Sequence, residues 1–349
     1  MSSNSIMGDR KKRILEAVTD DYIMTAEPVG SRTIAKRYDL GVSPATIRNE
    51  MADLEESGYL EQPHVSSGRI PSQKGYRFYV DFIMKSMDVS DEERLQISRR
   101  LEEKKRELDL ITEETARILA QLSSYAAFVL SPVSGAAILK RIELVQLNPH
   151  LILVILVVDP GFVKTNLVMT ERRLNSEQLT YINSYLNSRL RNTPLSRIGV
   201  RLLSDIAAEL KEYSSVLEAA LDAVVRLLER KQGDAVITDG QVNILEQPEF
   251  KEVENAKRVF DLLSEDETVF QMLVGAMNSG CVKIVIGRES PHPNMGMCSV
   301  VSAPYVVDGV PVGAIGVLGP TRMHYAKVVA LVESVADFLG EVLNKLLVG

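Results

Sequence analysis

The chain has 349 residues, long enough for two or three domains that each bury a core. Its formal net charge of −7 argues against polyanion binding by the molecule as a whole, though local patches can differ; 45% hydrophobic and 25% charged residues are normal for a globular protein. The longest apolar run, residues 151–158 (LILVILVV), has eight residues where a membrane span needs about 20, and MSSNSIMGDRKKR at the start has no signal-peptide core. With only Cys281 and Cys298 as thiols, a reduced, cytoplasmic protein is expected.

Residues 9–24 have helical period, with Ile14, Ala17, Val18 and Tyr22 on one face. EPVG breaks this helix. A short second helix (RTIAKRY) follows, with Ser31 as its expected N-cap. Gly41 in DLGVS can take the left-handed conformation that ends a helix. A third helix begins at Ser43 as N-cap with Pro44 at its first position, where a missing N–H does no harm. Two short helices joined by a glycine turn make a helix-turn-helix pattern.

On the third helix Ile47, Met51 and Leu54 face the core, while Ala45 and Asn49 point away and Thr46 and Arg48 flank them. The N-terminal half of such a helix enters the major groove, where Arg can bond guanine and Asn adenine. Glu55 and Glu56 sit at the far end, where phosphate repulsion matters least. GYLEQPHVSSGRIPS then reads as strand, loop and strand, with Gly68 allowing the turn: the wing of a winged helix-turn-helix. His64, Ser66, Ser67 and Arg69 on the wing, and Arg32 on the second helix, suit phosphates or the minor groove. Over residues 1–75 Lys+Arg number 10 against Asp+Glu 11, so a protein-interaction role competes with DNA binding on pattern alone.

Residues 90–123 read as one charged helix whose apolar stripe is broken by Lys104, either packed on its own domain or contributing to a dimer seam. Strands follow at residues 141–147 and 151–158, split by an NPH turn, with GFVKTNLVM as a third. Residues 175–232 are helical in character. DAVITDG returns to strand, residues 252–277 are helical again, and CVKIVIG, CSVVSAPYVV and VPVGAIGVLG are strands, the last two joined by a VDGV hairpin turn. Residues 327–347 form a closing amphipathic helix. Strands interrupted by a helical block suggest one domain inserted in another.

Chemistry is sparse in this half. His292, Cys298 and Cys281 do not have a standard zinc spacing, His150 and His324 have no ligand-like company, and no phosphate-cradling glycine loop or cofactor box occurs. A Cys–His hydrolase is the enzymatic rival, and buried apolar thiols the plainer account.

SPATIRNEMADLEESGYL with GRIPSQKGYRFYV, and SVVSAPYVVDGVPVGAIGVLGPTRMHYAKVVALVESVADFL near the C-terminus, resemble the heat-inducible transcription repressor HrcA family. Gln73 departs slightly from the family, which more often has an acidic residue there. The resemblance implies an α+β multidomain chain: a winged-helix DNA-binding domain (1–88), a linker helix (89–123), a GAF-like α/β domain (124–174 and 233–349) and an inserted dimerisation domain (175–232). It also implies a homodimer that binds an inverted-repeat operator in double-stranded DNA, the CIRCE element, ahead of chaperone operons, with the chaperonin GroEL maintaining its activity. The DNA-contacting residues would be Arg32, Ser43, Ala45, Thr46, Arg48, Asn49, His64, Ser66, Ser67 and Arg69. A winged-helix repressor with a small-molecule sensor in its α/β domain is the alternative.

Overall fold

In the computed structural model, which describes residues 7–65, 67–104, 108–132, 138–159, 162–170, 174–194, 198, 206 and 236–347, helices combine with antiparallel sheets. The chain divides into two units, Met1–Ser131 with Val236–Val342, and Pro132–Ala235 with Leu343–Gly349.

The first unit begins with α1 (Asp9–Thr25), which buries Ile14, Leu15, Ala17 and Val18 and stops at Ala26 in the left-handed conformation. In α2 (Ser31–Arg37) Ser31 is the first helical residue rather than the expected N-cap; Gly30 occupies the cap and offers no side chain. Gly41 does take a positive φ of 66°, but α2 has already ended at an extended Tyr38, so the glycine shapes the turn into the next helix. α3 (Pro44–Glu56) starts as its residues predict, with the Ser43 hydroxyl accepting from the Thr46 N–H at 3.2 Å.

A hairpin follows, β1 (Leu60–Glu61) paired antiparallel with β2 (Ile70–Pro71). Gly68 is needed here for contact rather than for a left-handed turn, since a Cβ would lie 2.4 Å from the Val29 carbonyl oxygen. Ile34, Ile47, Met51, Leu54, Leu60 and Phe78 close the core around α1. α4 (Gln73–Phe78) runs on into a π turn, Tyr79–Ile83, where the Tyr79 hydroxyl donates to Asp20 on α1 at 2.7 Å.

The single helix expected over 90–123 is instead two, α5 (Asp91–Glu103) and α6 (Leu108–Ser123). Lys104, which breaks the apolar stripe, is where the first ends. Arg100 on α5 donates to Glu114 and Gln121 on α6 at 2.6 and 2.8 Å, so the two pack together as a pair.

β3 (Ala126–Leu130), β8 (Val236–Asp239), β9 (Lys283–Ile286), β10 (Cys298–Val307) and β11 (Val310–Pro320) form an antiparallel sheet in the order β8-β3-β11-β10-β9. The VDGV turn is the expected tight hairpin, with Asp308 and Gly309 both at positive φ. Two helices, α8 (Val253–Ser264) and α9 (Asp266–Ser279), precede β9, and α6 and α9 pack on the sheet. The closing helix α10 (Tyr325–Leu347) comes so near β10 at Gly340 that a Cβ would sit 2.6 Å from the Val306 carbonyl oxygen.

The second unit holds a separate sheet, β4 (Ile138–Asn148), β5 (Leu151–Asp159), β6 (Phe162–Met169) and β7 (Thr193–Pro194), in the order β6-β5-β4-β7, with α7 (Ser176–Leu190) against β4. The break falls after Ser131, so the domain boundary expected at 174/175 lies inside this unit, and strands 138–169 do not join the five-stranded sheet. β4 meets β7 only at Ile138 and Leu139. Beyond them, Asn183 and Asn187 of α7 take over its free edge. Each amide accepts from and donates to one backbone residue, Leu144 and Ile142 respectively, at 2.6–3.1 Å. The match is geometric: four residues of helix rise about 6 Å and two of strand about 6.6 Å. The helical stretch expected at 215–230 lies outside the described residues.

Candidate nucleic-acid interface

α3 has two faces and two ends. Ile47, Met51 and Leu54 are buried, and Ala45, Arg48 and Asn49 are exposed. Ser43 and Thr46 meet at the N-terminus, their hydroxyl oxygens 3.0 Å apart, so part of their hydrogen-bonding capacity already serves the cap.

The C-terminal half carries Glu50, Asp53, Glu55 and Glu56. Glu50 pairs with Arg10 at 3.4 Å and Lys11 at 4.0 Å, Asp53 with Lys11 at 2.8 Å, and Glu55 with Arg69 at 2.7 Å. The Asp53 hydrogen bond holds the Lys11 ammonium above its usual pKa. The basic cluster at residues 10–13 is therefore partly committed to the acids of α3, and Arg13 donates to the Asp39 carbonyl at 2.7 Å. Arg37 is paired with Asp21. Arg32, Lys36 and Arg48 are the exposed cations of α2 and α3 that have no acidic partner among the described residues. A negative helix end is screened by its neighbours, and a positive helix front is left open.

The hairpin uses its polar groups differently. Val29 and Arg69 exchange both backbone hydrogen bonds at 2.9 Å, which adds the segment before α2 as a third rung. The Arg69 guanidinium turns to Glu55, its Nε donating at 2.8 Å, and so braces the hairpin against α3. The Ser67 hydroxyl accepts from the His64 N–H at 3.0 Å and donates to the His64 carbonyl at 2.7 Å, stapling the loop, while the Gln62 amide donates to the Val65 and Ser67 carbonyls at 3.0 Å. His64 is exposed and Val65 is 98% exposed beside it; Ser66 lies outside the described residues. Sequence reasoning missed the cross-braces Arg10–Glu50, Lys11–Asp53 and Arg69–Glu55. Blocks of opposite charge at the start of α1 and the end of α3 were the only hint.

Residues 109–329 match the family model described as HrcA protein C terminal domain. The heat-inducible transcription repressor HrcA of Pelotomaculum thermopropionicum is 42% identical over 343 residues, 98% of this chain and 99% of its own. The chain belongs to the HrcA family. The protein of the same name from Carboxydothermus hydrogenoformans is also 42% identical, over 97% of this chain and 99% of its own. A crystal structure of a hypothetical protein, 22% identical, shares the HrcA-family chain's fold at a TM-score of 0.61 over 97% of this chain and 99% of that one.

The thiol that a Cys–His hydrolase would use is buried. Cys298 is fully buried in β10, and burial, with Glu249 adding a smaller push, raises its thiol to about 12, so almost no thiolate exists at neutral pH. His292 is engaged instead with Glu265, its Nε2 2.8 Å from the carboxylate. No helix among the described residues is long and apolar enough to cross a membrane.

Proposed function

We propose that this HrcA-family chain works in the cytoplasm as a dimeric repressor of chaperone operons, binding an inverted-repeat operator of the CIRCE type. Residues 1–88 act as a winged helix. The unit built on the five-stranded sheet acts as a GAF-like core, and the second unit, with its inserted segment, as the dimerising part. One observation carries the reading: α3 presents Arg48 and Asn49 exposed and uncommitted at its front, while three acids at its back are paired.

In this account α3 lies in the major groove, with Arg48 and Asn49 on base edges and Ala45 close to the groove floor. Ser43 and Thr46 sit where the helix N-terminus favours a phosphate, and Arg32 reaches the backbone from α2. The hairpin brings His64 and Ser67 beside the backbone, and Ser66, outside the described residues, is a further phosphate contact in this account. Arg69 pairs with Glu55 there, leaving one bare carboxylate fewer to repel a phosphate. A two-fold dimer offers two α3 helices to two half-sites, and linkage makes the second contact intramolecular.

The heat response follows from marginal stability. If the DNA-competent form is only a fraction of the protein, apparent affinity falls by that fraction, and the chaperonin GroEL raises repression by restoring it. Titrating active protein with excess operator, with and without chaperonin, tests this. The competent fraction should rise with chaperonin. Protein that is fully active alone and stays so at heat-shock temperature would remove the chaperonin link and leave the repressor intact.

A further inference from the structure

The helix–hairpin segment is clamped to the α/β core of its own unit at two places, through side chains of α4 and through the end of α1. On one side Arg77 of α4 grips Glu289, in the short turn after β9, with both arms of its guanidinium. Its Nε donates to one carboxylate oxygen at 2.7 Å and its Nη2 to the other. Nη2 also donates to the Ile284 carbonyl at 2.8 Å. The Glu289 carboxylate accepts in turn from the Ile286 N–H at 2.8 Å. Burial opposes its charge, but the Arg77 and Ile286 hydrogen bonds win and hold the carboxyl below its usual range.

One turn earlier, Gln73 uses both ends of its amide. It donates to the Gly296 carbonyl and accepts from the Arg288 N–H, both at 2.9 Å. Gly287, at a φ of 52°, leaves room for that amide, because a Cβ there would meet it at 2.5 Å.

On the other side, Arg322 is 9% exposed and donates from Nη1 to the Ile23 carbonyl near the end of α1, while its Nε meets Glu249. Tyr76 packs between these two anchors against Tyr325, with ring centroids 6.0 Å apart. None of these groups is among the residues assigned to DNA.

We propose that Arg77, supported by Gln73, is a positioning residue for operator recognition. It fixes the angle at which the helix–hairpin segment stands on the core, and through the dimer the separation of the two recognition helices. This rests on the two-half-site reading given above. A bidentate guanidinium–carboxylate pair sets orientation as well as distance. A palindrome rewards a fixed separation matched to its half-site spacing, one helical turn of DNA or a multiple of it, because only then does the second half-site bind at high effective concentration. A loosened clamp leaves each recognition helix intact but spreads its partner's position.

The test compares the full-length protein on three DNAs: one half-site, the inverted repeat, and a repeat lengthened by two base pairs at its centre. In Arg77→Ala, half-site affinity should stay within about two-fold of the unaltered protein, by the argument that the groove-facing side chains are untouched. Preference for the repeat over the half-site should fall about ten-fold, and discrimination against the lengthened repeat should weaken. Glu289→Gln, which keeps the shape, should move both readouts the same way by less. The charge-reversed pair Arg77→Glu with Glu289→Arg should restore part of the preference. Unchanged repeat preference and spacing discrimination in dimeric Arg77→Ala and Glu289→Gln would overturn the positioning role. Unaltered protein that binds no repeat better than random DNA would overturn the operator reading itself.

Discussion

The front of α3 and the hairpin both carry side chains of the kind that meet DNA, and they use them in different ways. On α3 the polar residues stand clear: Arg48 and Asn49 are exposed, and the structural work is done on the opposite face by Ile47, Met51 and Leu54. In the hairpin Ser67 and Arg69 are already engaged, one with the loop backbone and one with Glu55. A long helix separates its tasks by face, because a period of 3.6 turns neighbouring residues in different directions. A two-residue ladder is too short to hold itself and recruits its own polar groups.

The sharpest separation to break is on α3 itself. Ile47→Ala should lower stability by about 2–5 kcal/mol, since the side chain is fully buried and the cavity cannot collapse completely. Chemical denaturation would show this as a lower midpoint. Operator affinity of the protein that remains folded should be nearly unchanged. One residue along, Arg48→Ala should do the reverse, with stability within about 0.5 kcal/mol and operator binding weaker by roughly 1–3 kcal/mol, concentrated at one base position. Asn49→Ala should act likewise at another position. Equal losses in both assays for both faces would mean that α3 is structural throughout.

The difference between the two surfaces also explains what could be read from residues alone. The three helices, the Ser43–Pro44 start and the core stripe depend on neighbours three or four positions apart, and they came out nearly in place. So did the VDGV turn, whose two positive φ values are local. The split at Lys104 needed knowledge that α5 and α6 pack together, held by Arg100. The separate sheet of the second unit was hidden for a related reason. Strands β4 to β6 look the same in either sheet, and only pairing, which acts across long stretches of chain, assigns them. Arg69 reads as a phosphate ligand until Glu55, fourteen residues away, is seen beside it.

In the hairpin, Ser67→Ala should cost about 1 kcal/mol of local order, because it leaves the His64 N–H without its acceptor. Amide exchange at His64 should quicken, while α3 amides keep their protection. If operator affinity fell for this variant by as much as for Arg48→Ala, the Ser67 hydroxyl would be meeting DNA as well as its own loop.

The smallest effect is the most discriminating. Arg69 and Glu55 are 21% and 34% exposed, so their coupling in a double-mutant cycle should be near the modest value of partly solvated pairs, about 0.5 kcal/mol of stability. Operator affinity then separates two roles. If Arg69 serves DNA by neutralising Glu55, Arg69→Ala weakens binding because it leaves a bare carboxylate near the phosphates. The same change made in a Glu55→Ala background should have little effect. If Arg69 holds a phosphate directly, the loss is the same in both backgrounds, and the dependence of log affinity on log salt becomes shallower by about one. The first result is expected, since the guanidinium lies against Glu55 with Nε and Nη2 both within 2.8 Å of the same oxygen. The second would place the hairpin alongside α3 as a surface whose charges are open to DNA.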